Sequence, residues 1–256
     1  MHSRALAPVL ALMALTVGFS GCFDWVKDLQ SSYSEPGEWY RDYLDDATYT
    51  RLLVEVDYVR GAKPSQAALD MLEARLNERL SKPGGIEIRL DDELAPGGGT
   101  RSINQIARLE DRHRDAYKGD GRAVFYVLYV DGRSDADTRD SFVLGAAYSG
   151  SSVVMFQDAI REAAKGLPLA TAPASSIEKA VLVHELGHIL GLVNNHLPMV
   201  RPHEDPQHRT HSSSSNSVMF WAVERSNIVN LLGGRTEPPN QFDQDDIADM
   251  RAAGGK

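Results

Sequence analysis

His184 and His188 stand four residues apart in the run His184-Glu185-Leu186-Gly187-His188, a spacing that puts two imidazoles on one helix face, one turn apart. One metal ion can take both. Glu185, beside the first histidine, is placed to accept a proton from a water that the ion activates, so the pattern points to metal-assisted hydrolysis. The surroundings suit a buried helix at about 176–190. Ser175 and Glu178 have capping-box spacing, Ala180, Val181, Leu182, Val183 and Leu186 supply apolar surface, and Gly191 can end the helix in a left-handed turn. The bland alternative is a chance HExxH on an ordinary amphipathic helix. Histidine density argues against it: six of the eight histidines lie between 184 and 211, where an even spread would place fewer than one.

A catalytic zinc takes three protein ligands and keeps one position open, so a third ligand must come from elsewhere. Tetrahedral zinc–nitrogen bonding places ligand nitrogens roughly 3.3 Å apart, so after Gly191 the chain must return a histidine beneath the helix. His211, His208, His203 and His196 are the candidates. A downstream carboxylate such as Glu224 ranks low, since no helix motif of the kind that supplies a glutamate ligand surrounds it. Otherwise His196, His203 and His208, with Glu204 and Asp205, read as solvated loop residues.

The chain from His184 to Gly191 resembles the metzincin metalloproteases, whose pattern HExxHxxGxxH is followed by a methionine turn. It departs at the third-histidine position, which holds Asn194, and a neutral amide is a poor zinc ligand. Downstream it is similar to the archaemetzincins, which carry H-C-x4-C-x-M; here His211-Ser212 is followed by Ser217-Val218-Met219, with serines at both cysteine positions. The resemblance implies that 194–210 are an insertion, that His184, His188 and His211 hold one catalytic Zn2+ with Glu185 as general base, and that Met219 is the turn methionine. It also implies no second, structural zinc. The activity implied is a zinc metalloendopeptidase acting on peptides or proteins; the alternative is a surface lipoprotein that keeps the scaffold as a binding module without turnover.

The chain's 256 residues suffice for a self-supporting core, and 42% hydrophobic with 25% charged residues is a globular composition. A net charge of −9 with no basic run excludes nucleic acid as a partner, and the chain is expected to be a monomer. Residues 1–21 read as a signal peptide, with His2 and Arg4 ahead of an apolar run from Ala5 to Phe19. Phe19-Ser20-Gly21-Cys22 resembles a bacterial lipobox, and Cys22, the sole cysteine, would be lipidated. That implies an exported protein anchored to a bacterial cell membrane, periplasmic or cell-surface, whose fold has no disulfide.

Residues 22–50 read as a tether and irregular lead-in, and 51–256 as the metzincin-like catalytic domain. Leu52, Val54, Val56 and Tyr58 alternate with Glu55 and Asp57, predicting a strand with one buried face. Leu69, Leu72, Leu76 and Leu80 predict a helix, Ile86 to Leu90 a strand, Gly97-Gly98-Gly99 a flexible connector, and Ile103 to His113 another helix, on which His113 lies away from any metal. Ala123–Val130 is apolar throughout, as a central strand covered on both faces would be. Phe142–Tyr148 and Val153–Phe156 predict a hairpin, one strand of which would be the edge that pairs with an extended peptide. Phe242 to Ile247 predicts an N-capped terminal helix whose acids meet the helix dipole without calcium. The fold class expected is α/β (α+β): a twisted mixed sheet with helices, HExxH on one of them, and an irregular C-terminal part ending in a helix.

Overall fold

The apolar run after residue 122 forms the central strand of a five-stranded sheet. The computed structural model describes residues 34–165, 173–226, 228 and 237–256, so the signal peptide, Cys22 and the first part of the tether lie outside them. In chain order the sheet strands are β1 (Arg51–Val59), β2 (Ile86–Leu94), β4 (Arg122–Val130), β6 (Gly145–Ser149) and β7 (Ser152–Phe156). Their spatial order is β2-β1-β4-β7-β6; every pairing is parallel except the β6–β7 hairpin, which leaves β6 as one edge. Two short strands, β3 (Thr100–Arg101) and β5 (Arg133–Ser134), pair apart from it.

Among the described residues the chain forms helices α1 (Tyr40–Leu44), α2 (Gln66–Arg79), α3 (Ile103–His113), α4 (Gln157–Lys165), α5 (Ala174–Ile189) and α6 (Gln244–Ala252). The mixed, mostly parallel sheet agrees with the expected fold class. Helix α5 packs against α2 and α4 and lies on β6 and β7, which brings His184 and Glu185 to the sheet edge. Among the described residues no helix is long and apolar enough to cross a membrane.

Three sequence expectations change. Strand β1 is buried on both faces, not one, because the segment after α3 covers Glu55 on the second face and the neighbouring strands satisfy Asp57. Glu55 accepts from the amides of Asp115 and Ala116 at 2.7 Å, and Asp57 accepts from the Tyr126 hydroxyl at 2.8 Å. The glycine connector is a fixed turn, since the Gly97 and Gly98 amides donate to Asp131. Glu178 makes no capping box. Pro173 precedes α5 as its N-cap, and Glu178 is buried, accepting from the Ser65 amide at the start of α2. Of the lead-in, Tyr43 and Leu44 are buried in the core, and the Tyr43 hydroxyl donates to Val124 O and Gly150 O.

The hairpin turn that orients β6 is fixed by a buried ion pair. Arg114 Nη1 lies 2.6 Å from Glu110 Oε1 and also donates to Ser151 and Ser152 Oγ, while Ser152 Oγ donates to Glu110. Removing one member of such a pair leaves a buried charge uncompensated. Arg114→Ala should therefore cost about 3–5 kcal/mol in urea unfolding, well beyond a surface arginine. A loss under ~1 kcal/mol would show that the turn does not depend on this pair.

Candidate metal centre

Helix α5 carries both histidines inward. Its end is a Schellman turn: Gly191, at φ +76°, donates to His188 O, and Leu192 donates to Gly187 O. His184 and His188 are buried, with their Nε2 atoms 3.1 Å apart, close to the spacing that shared tetrahedral coordination requires. His184 Nδ1 donates to Val218 O at 2.6 Å, so its lone pair is on Nε2.

The segment after Gly191 delivers His211 to the same point. Its ring centroid lies 5.2 Å from that of His184 and 4.9 Å from that of His188. His211 Nδ1 donates to Arg209 O, which again turns Nε2 inward, and Nε2 is buried without a hydrogen-bond partner. Asn194 turns away: Val193 and Asn194 both take positive φ, and the Asn194 amide approaches Glu204 at 3.4 Å. Met219 is buried against Gly187, where an added Cβ would lie 2.1 Å from its Sδ.

Glu224 joins them. It ends a 3₁₀ turn (Trp221–Glu224) and its carbonyl accepts from the Leu144 amide just before β6. Glu224 Oε2 lies 3.8 Å from His211 Nε2 and 4.0 Å from His184 Nε2. His184, His188, His211 and Glu224 each present a donor atom, all within 4.8 Å of one another, and together could hold one metal ion. Sequence reasoning set Glu224 aside for want of a helix motif. The available signal was its place five residues after Met219, in the segment already expected to lie beneath the helix.

Burial, then the neighbouring imidazoles, depress both helix histidines, His184 to about 4 and His188 well below its usual range; both are neutral donors near neutral pH. Burial raises the Glu224 carboxyl, but the surrounding histidines outweigh it and the net shift is downward. Glu185 goes the other way: burial, then the Glu224 charge, push it well above the carboxylate range. Its Oε2 accepts from the Ala147 amide of β6 at 2.7 Å, and its Oε1 is buried without a partner. Glu185, His188, His211 and Glu224 share a cavity of about 310 Å³ with Ala146, Ala147, Glu35 and Pro36.

Two expected cysteine-position serines and a supposedly solvated histidine hold this arrangement. Ser217 Oγ donates to Asp246 of α6 and accepts from the Met219 amide, and the buried Ser212 amide donates to Met219 O. His203 is not solvated as expected: it is buried, with Nε2 3.4 Å from Asp246 and 3.7 Å from Asp249, because its segment folds back on α6. His208 pairs with Asp205 and stacks on Trp221, while His196 reaches Glu35 at 3.3 Å; neither joins the metal group.

No protein-family model matches the chain, and no curated protein matches it by sequence. Among solved structures it is similar to archaemetzincin from Methanopyrus kandleri, at 16% identity and a TM-score of 0.49, over 80% of this chain and 96% of that one. It is also similar to a zinc-dependent peptidase from Methanocorpusculum labreanum, at 14% identity and TM-score 0.45, over 77% of this chain and 99% of that one. Metalloproteinase-II from Bacteroides fragilis follows at 14% identity and TM-score 0.40, over 81% of this chain and 54% of that one.

The Asp246 side chain, then a backbone carbonyl and Asp249, raise His203 to about 9. A group raised on folding adds stability that is complete below its unfolded value near 6.5 and is lost as pH rises through 9. The destabilisation caused by His203→Gln should thus be largest at pH 6 and shrink towards pH 9.5 in denaturant titrations. An effect constant over that range would show that no ion pair forms.

Proposed function

We propose that the chain is a zinc metallopeptidase of the metzincin type. The observation that carries this reading is the meeting of three inward-facing imidazole nitrogens with a buried, unpartnered Glu185 oxygen in one cleft. Neutral nitrogen donors with a nearby carboxylate suit zinc, and His184, His188 and His211 would hold it. When bound, zinc supplies Lewis acidity, which polarises a peptide carbonyl and lowers the pKa of a neighbouring water.

Glu185 then has two tasks. It accepts the water's proton as the water oxygen attacks the carbonyl carbon, and it returns that proton to the amide nitrogen as the carbon–nitrogen bond breaks. The products are a carboxylate and an amine. The Ala147 amide fixes its orientation. An extended peptide would add along the outer edge of β6, whose Ala146 and Ala147 line the cleft beside Glu185. Met219 would be the turn methionine, packing beneath the helix that carries the ligands. Lipidation at Cys22 would tether the domain to a bacterial cell membrane.

Glu185→Gln should retain stoichiometric zinc, measured by atomic absorption, while hydrolysis of a quenched peptide falls by at least ~100-fold. Undiminished turnover would refute Glu185 as the base. A zinc-loaded wild-type protein that cleaves no peptide would favour the binding-lipoprotein alternative. Cys22→Ala should abolish incorporation of labelled fatty acid in a bacterial host; continued labelling would remove the lipobox reading.

A further inference from the structure

Glu224 goes unused in the mechanism above, yet its carboxylate lies within 4.0 Å of two of the imidazoles. We propose that Glu224 is a fourth, displaceable protein ligand, which closes the metal site at rest and moves to Arg225 when a peptide or small anion enters. This rests on the metal-binding half of the preceding reading, not on turnover.

Three observations carry it. Its Oε2 belongs to the same cluster of donor atoms as the histidine nitrogens, at 3.8 and 4.0 Å from two of them. Its main chain is tied down by the Leu144 amide, so the carboxylate is presented at this point by construction. The third is that Glu224 is not held here by a hydrogen bond to His211: 3.8 Å is long for one, and His211 Nδ1 already has Arg209 O.

Four protein donors complete a tetrahedral zinc, a closed arrangement, so an open position requires one to leave. The imidazoles are poorly placed to do so. His184 and His188 are fixed on the buried α5, and His184 and His211 are also held by carbonyls. Glu224 has somewhere to go. Its Oε1 lies 3.5 Å from Arg225 Nε, and beyond it is a second cavity of about 410 Å³, lined by Arg225, Trp221, His208 and Thr138. Glu224 and His211 line both cavities, so the carboxylate is part of the partition between them. Its departure would join the two into one cleft running past the metal.

The test reads coordination rather than hydrolysis. Wild type, Glu224→Gln, Glu224→Ala and Arg225→Ala would be loaded with cobalt(II), and visible spectra recorded during azide titration. Zinc affinity would be measured against a chelator. The wild type should show the intense bands of a four-coordinate site and take up azide only weakly, as displacement of the carboxylate requires. Both Glu224 variants should admit azide at least ~10-fold more readily and bind zinc roughly 10–100-fold more weakly, the range typical of losing a metal-supporting group. Arg225→Ala, which removes the resting place of the displaced carboxylate, should make azide entry harder while zinc affinity holds.

Equal azide and zinc affinities in wild type and Glu224→Gln would overturn the proposal. So would ready azide entry into the wild type, a result that needs no variant to fold. The two readings fail separately. An inactive protein with a closed cobalt spectrum sinks the peptidase assignment alone, and an active one indifferent to Glu224→Gln sinks this inference alone.

Discussion

An imidazole offers a lone pair from one nitrogen only when the other carries the proton, and here backbone carbonyls decide which. Val218 O holds the proton on His184 Nδ1, and Arg209 O holds that of His211. Both carbonyls come from an irregular segment with no helix or strand to stiffen it. The centre therefore depends on how that segment is fastened, and the terminal helix α6 does the fastening. Asp246 takes the Ser217 hydroxyl and faces His203, while Asp249 takes the Val200 amide. A pair of buried acids on α6 thus helps set the direction in which metal-binding lone pairs point.

The other half of the centre depends on close approach. Helix α5 lies against the edge strand at Gly145, where a Cβ would come within 2.7 Å of Val181 Cγ1. Met219 presses on the opposite side of the helix at Gly187. Two glycines therefore let the ligand helix sit between the edge strand and the returning chain. The same proximity lets the Ala147 amide of the edge strand reach Glu185 and orient its carboxylate. Two carboxylates then coexist in one buried cleft with opposite tendencies: the imidazoles hold Glu224 ionised, and burial with the Glu224 charge favours a proton on Glu185.

Much of this was legible in the sequence. His184, Glu185 and His188 are local: a helical repeat places them by covalent geometry alone, and the glycine at 191 ends the helix as its backbone freedom allows. The alternating, apolar and Leu-spaced runs gave strands and helices close to where they lie, because hydrophobic period is a local signal. His211 and Met219 were reachable from their mutual spacing together with a family resemblance. What the tertiary structure decided was every partnership across the chain. Glu55, Asp57 and His203 looked solvated because charge suggests water, yet each is buried against partners contributed by distant segments. Glu224 looked incidental because no local motif marks it; an amide 80 residues earlier in the chain, at Leu144, is what sets it among the histidines. Spacing along the chain fixes which atoms can share a helix face, but convergence of separate segments on one point is settled only when the long-range packing is complete.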